Sequence, residues 1–100
     1  MTKREEIEII KNKIDIEEIL AQLAEESAEL AQAALKLRRV HSQKNPTPVT
    51  ADEAVDHLLE EVSDVMSCLI LCDVIKELPP SAFDIQSIHD MKMKRWVSRL

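Results

Sequence analysis

Residues 16–39 read I-E-E-I-L-A-Q-L-A-E-E-S-A-E-L-A-Q-A-A-L-K-L-R-R. Ile16, Ile19, Leu20, Leu23, Leu30, Ala33, Ala34 and Leu37 recur at three- and four-residue intervals, which predicts a long amphipathic helix. Ala28, Ala31, Ala33 and Ala34 would let a neighbouring helix approach closely. Asp15 is placed to cap the helix, and Glu17 and Glu18 suit its positive N-terminal end. Lys36, Arg38 and Arg39 suit the negative end, where they read as solvated charge. Glu26 interrupts the apolar line between Leu23 and Leu30. A carboxylate set into a helix seam is costly unless a partner compensates its charge.

On the N-terminal side, residues 3–13 predict a first short helix with Ile7 and Ile10 on a narrow apolar side. A break near residue 14 and one continuous helix both fit the pattern. On the C-terminal side, His41 to Val49 (H-S-Q-K-N-P-T-P-V) loses all periodicity and reads as a loop. Thr50 and Glu53 form a capping box that opens a third helix. Its apolar line runs through Ala54, Leu58, Val65, Cys68, Leu69 and Cys72, with Glu61 in it. From Val65 to Ile75 the chain is nearly apolar all round, which predicts burial on several sides, centrally in a bundle or at a subunit contact. Pro79-Pro80 stops this helix. Ser81 can cap a last helix over about 82–99, with Phe83, Ile85, Ile88, Met91, Trp96 and Leu100 as apolar contributors. The expected fold is therefore all-α: an antiparallel bundle of about four helices in a single domain over residues 1–100, with its functional core at about 15–75.

Composition narrows the function. The 100 residues contain no glycine. That removes a Walker A loop and a dinucleotide-binding turn, both of which need it. A net charge of −6 disfavours nucleic acid as a partner. No stretch approaches the roughly 20 apolar residues of a membrane span. Met1-Thr2-Lys3-Arg4-Glu5-Glu6 carries acids, no small-residue cleavage site follows it, and it does not read as a signal peptide. Cys68 and Cys72, one helical turn apart, read as buried free thiols and suit a reducing compartment. A cytoplasmic protein is the expectation.

Two carboxylate clusters carry the chemistry. Glu25, Glu26 and Glu29 lie on the long helix; Glu60, Glu61 and Asp64 lie on the next. Each cluster sets acids three residues apart on one helix face. If the two helices pack antiparallel, Glu26, Glu29, Glu61 and Asp64 converge on one point. Unpartnered, the four charges would push one another's pKa values up. With Mg2+ they become oxygen ligands, leaving positions for water and phosphate oxygens. Such a site suits cleavage of a phosphate ester or phosphoanhydride. Glu25 and Glu60 are candidates for a second metal or for water activation, although the helix turns each about 100° from its neighbour.

In these residues the chain resembles the MazG-like, all-α nucleoside triphosphate pyrophosphohydrolases. Their E-E-x-x-E followed by E-x-x-D is matched here by Glu25-Glu26-x-x-Glu29 and Glu61-x-x-Asp64, over roughly residues 15–75. The stretch between the two half-motifs is longer than usual. The resemblance implies Mg2+, with Mn2+ as a possible substitute, held by Glu26, Glu29, Glu61 and Asp64 with Glu25 assisting. It implies hydrolysis of a nucleoside triphosphate between its α and β phosphates, and assembly into a homodimer or homotetramer.

Other residues stand beside this reading. Lys94 and Arg95 are candidates to contact triphosphate oxygens, against favourable charge at a helix C-terminus. Trp96 can stack on a base, against packing in the core. His57 lies one turn before Glu61 but has no motif partner. The rival from a different class is a non-catalytic helical interaction module that keeps the same fold. Redox iron is disfavoured, because no glutamate of the clusters is followed three residues later by His.

Overall fold

The computed structural model of the chain describes residues 1–42, 48–75 and 85–100. These form helices α1 (Lys3–Lys13), α2 (Ile16–Ser42), α3 (Ala51–Ile75) and α4 (Ile85–Ser98), with no strand among the described residues.

Local chemistry sets the helix ends. Thr2 Oγ1 accepts the Glu5 N–H at 3.1 Å, and the Thr2 N–H donates to Glu5 Oε1 at 3.3 Å, a complete capping box for α1. The helix stops at Ile14, which is extended (φ −125°, ψ 130°) while its N–H still donates to the Ile10 carbonyl at 2.9 Å. The chain therefore breaks there, and Asp15 Oδ1 opens α2 by accepting the Glu18 N–H at 2.8 Å. Thr50 Oγ1 caps α3 through the Glu53 N–H at 3.1 Å, and its hydroxyl also reaches Glu53 Oε1 at 3.3 Å.

One boundary differs from expectation. α2 runs through His41 to Ser42, where the sequence suggested an end near Arg39. Val40 is half-buried, and that packing outweighs the weak helix preference of a β-branched residue. The Ser42 hydroxyl donates to the Arg39 carbonyl at 3.3 Å, partnering one of the last-turn carbonyls. Residues 43–47 of the expected loop, Pro79-Pro80, the Ser81 cap and Phe83 lie outside the described residues.

α2 packs on α3, and α1 lies against α3. Residues 18–26 of α2 meet 64–71 of α3, whereas residues 32–39 of α2 meet His57, so α2 and α3 are antiparallel. The seam buries Ile19 and Ala33 of α2 against Ala54, Cys68 and Cys72 of α3. Small residues dominate it, which permits the close approach the alanine pattern suggested. Cys68 and Cys72 are buried and unbridged. Leu23, Leu30 and Leu37 are half-buried, while Leu20 and Ala34 face outward.

The expected burial of Val65–Ile75 on several sides is not met within one chain. Met66 is 55 % and Ile70 41 % exposed, on the side away from α2. From Gln86 onward α4 contributes no core either. Every side chain described from Gln86 onward is exposed, including Ile88, Met91, Trp96 and Leu100. The radius of gyration is 17.0 Å, against about 13 Å for a compact domain of this length. The buried residues described all come from α2 and α3. No helix among the described residues is long and apolar enough to cross a membrane.

Candidate functional site

The antiparallel seam brings three of the expected acids together. One carboxylate oxygen from each of Glu26, Glu29 and Glu61 lies within 4.8 Å of the other two. Glu61 is the only buried charged residue among those described, at 8 % exposure. Glu26 is half-buried and Glu29 is exposed, so the cluster opens to solvent on one side.

Each seam carboxylate is held by a partner four residues before it. Gln22 Nε2 donates to Glu26 Oε1 at 2.7 Å. His57 Nε2 lies 3.3 Å from Glu61 Oε1. In both cases the second oxygen has no partner: Glu26 Oε2 and Glu61 Oε2 are buried with no hydrogen bond. Two buried carboxylate oxygens left unsatisfied are costly, and a native protein rarely keeps such atoms without a role for them.

The electrostatics of Glu26 follow from this crowding. The Gln22 hydrogen bond lowers its pKa. Desolvation and the negative charges of Glu29 and Asp64 together outweigh that bond, and the carboxyl ends above its ordinary value. Burial, followed by the charges of Glu26 and Asp64, pushes the Cys68 thiol up as well. Burial alone does so for Cys72.

The remaining expected residues are spread more widely. Asp64 stands outside the 4.8 Å group and is exposed, one turn beyond Glu61, where it lines the same cavity as Glu26. Glu25 is exposed on α2 and does not join the group. Glu60 lines an open cleft along α3 with Asp56, Leu59, Ser63 and Asp64. Lys94, Arg95 and Trp96 lie exposed on α4, and none lines the cavity beside Glu26. Trp96, 63 % exposed, is not a core residue of the single chain.

That cavity holds about 370 Å3 and is walled by Ile10 and Ile14 of α1, Ile19 of α2, and Cys68 and Leu71 of α3. Glu18, Gln22, Glu26, Asp64 and Ser67 supply its polar side. An apolar chamber with a few convergent polar groups is the usual form of a small-molecule site.

The sequence reading passed over Gln22 and set His57 aside, one turn before Glu61, for want of a motif partner. Each precedes a seam glutamate by four residues, a spacing that places it beside that carboxylate on the helix. The residues fit a divalent cation by their chemistry: three hard oxygen donors meet, two of them carry an unsatisfied buried oxygen, and both of those are oriented by a neighbour. No protein-family model matches the chain, and no curated protein or solved structure does either.

Proposed function

We propose that the chain is a Mg2+-dependent nucleoside triphosphate pyrophosphohydrolase, hydrolysing the α–β phosphoanhydride to a nucleoside monophosphate and pyrophosphate. The observation that carries this reading is the pair of orphaned oxygens, Glu26 Oε2 and Glu61 Oε2, in the group that Glu29 completes. The MazG-like pattern of the acids supports it and supplies the reaction class.

Glu26, Glu29 and Glu61 hold the cation, and Asp64 extends the set from the next turn of α3. Mn2+ serves as a substitute. A divalent cation there offsets phosphate charge and lowers the pKa of a bound water. Gln22 and His57 fix the orientation of the two seam carboxylates. Glu25 faces solvent beside this centre and assists from outside it. The apolar cavity next to Glu26 excludes water from one side of the substrate.

The exposed apolar residues of α3 and α4 support assembly into a homodimer or homotetramer, in which Met66, Ile70, Met91 and Val97 become buried. Free, buried thiols accord with the cytoplasm. The same apolar surface also favours the rival reading, a non-catalytic interaction module.

A panel of NTPs and dNTPs with Mg2+, resolving pyrophosphate from orthophosphate, separates them. Mg2+-dependent pyrophosphate release supports the assignment. Orthophosphate alone would indicate a different phosphatase, and no release at all would favour the module.

A further inference from the structure

A second cleft, of about 260 Å3, lies between α2 and α3 beyond the acids, lined by Gln32, Leu35, Lys36, Arg39 and His57. It follows the same pair of helices, and His57 ties it to the acids through Glu61. On α2 the stripe runs Glu26, Glu29, Gln32, Lys36, Arg39, at three- and four-residue steps along one face. On antiparallel α3 the matching step runs from Glu61 to His57, which are in direct contact at 3.3 Å. Along the α2–α3 pair the lining thus changes from the cavity beside Glu26, through carboxylates, to a basic end.

Three features make that end a receptor for anions. Lys36 and Arg39 are one turn apart, and neither forms an ion pair among the described residues. Two adjacent cations gain nothing from each other, and both gain from a shared anion. Side chains on a helix lean toward its N-terminus, so Lys36 and Arg39 lean toward Glu29. The whole chain carries a net charge of −6, so this is a local reversal of sign. The ligand must be one that a cation-binding acid cluster and a basic cleft can hold together. A chain of phosphates satisfies both ends, and the planar guanidinium suits phosphate oxygens.

We propose that the cleft of Lys36, Arg39 and His57 seats the distal phosphates of the substrate. This rests on the phosphohydrolase reading and fixes the direction in which the substrate lies. The nucleoside points toward α1 and the apolar cavity. The pyrophosphate end points toward the C-terminal half of α2, where cations meet the charge that pyrophosphate accumulates as it leaves. Lys36 and Arg39, read from the sequence as solvated charge, take the place of Lys94 and Arg95 as the phosphate contacts.

Calorimetric titration of the full chain with inorganic pyrophosphate, with and without Mg2+, tests this independently of turnover. Pyrophosphate should bind, and Lys36→Ala or Arg39→Ala should each weaken it about tenfold. Mg2+ affinity and nucleoside monophosphate binding should stay unchanged, and Lys36→Arg should retain pyrophosphate affinity. Arg39 is exposed and Lys36 half-buried, and circular dichroism checks that each variant keeps its helices. Pyrophosphate binding that is absent in the wild type, or as tight in both alanine variants as in the wild type, overturns the proposal even if nucleotides are hydrolysed. Lys36- and Arg39-dependent pyrophosphate binding without any nucleotide hydrolysis keeps the anion cleft and removes the enzymatic reading.

Discussion

Replacing Gln22 with Met tests whether the seam carboxylates are arranged for a cation. The substitution keeps side-chain length and helix preference and removes one donor. The lost bond is short, 2.7 Å from Gln22 Nε2 to Glu26 Oε1. Groups that orient metal-binding residues are commonly worth about 10–100-fold in metal affinity. Gln22 is exposed, so water can take over part of its function, and Mg2+ affinity should fall about tenfold, the low end of that range. A second effect runs through protonation. The Gln22 bond is what restrains the pKa of Glu26 against desolvation and the charges of Glu29 and Asp64. Without it the carboxyl rises further, and protons compete with the cation from a higher pH downward. Calorimetry with Mg2+ and Mn2+ should therefore show a deficit at mildly alkaline pH that widens at mildly acidic pH. The same raised pKa means that the unliganded fold loses stability as pH rises through it, because the folded state holds this proton more tightly than the unfolded chain. An affinity left unchanged by Gln22→Met at both pH values would refute this account of the site.

Four further outcomes are expected. Glu61→Gln should abolish Mg2+-dependent turnover and leave helicity intact by circular dichroism; full activity in the variant would remove Glu61 from the mechanism. Thr50→Ala removes the oxygen that caps α3, at a cost of about 1 kcal/mol, so the melting temperature should drop by roughly 4–8 °C, and an unchanged melt would mean that this cap contributes nothing. Cys68 and Cys72 have raised pKa values, so alkylation near neutral pH should be slow until the protein is unfolded; in the native fold, stability should decline as pH climbs above about 8.5, because unfolded thiols ionise first. Val97, 68 % exposed on α4, should when changed to Asp shift the protein toward monomer in sedimentation, whereas an unaltered distribution would place the subunit contact elsewhere.

Much of the fold was legible residue by residue. The caps at Asp15 and Thr50 use side chains next to the backbone groups they satisfy, so local sequence suffices to find them. The period of Ile19, Leu23, Leu30 and Ala33 gave α2 its buried face for the same reason. Leu20 and Ala34 were misassigned because three- and four-residue spacing selects a stripe wider than the narrow face that one partner helix covers. Val65–Ile75 shows the opposite difficulty. An all-apolar run states that cover is needed but not from where, and within this chain Met66, Leu69 and Ile70 stay exposed.

The sequence by itself determined the helices and which acids share a face, because those properties repeat with the 3.6-residue turn, and the caps at Asp15 and Thr50, because those are local. Only the tertiary structure decided that Glu26, Glu29 and Glu61 meet while Asp64 stays at the rim. It alone set Lys36 and Arg39 of α2 around one cleft with His57 of α3. The physical reason is register. Sliding α3 by one turn along α2 would keep every cap and apolar stripe, yet it would pair different acids, and only the packing of the small residues Ala33, Ala54, Cys68 and Cys72 in the seam selects the alignment observed.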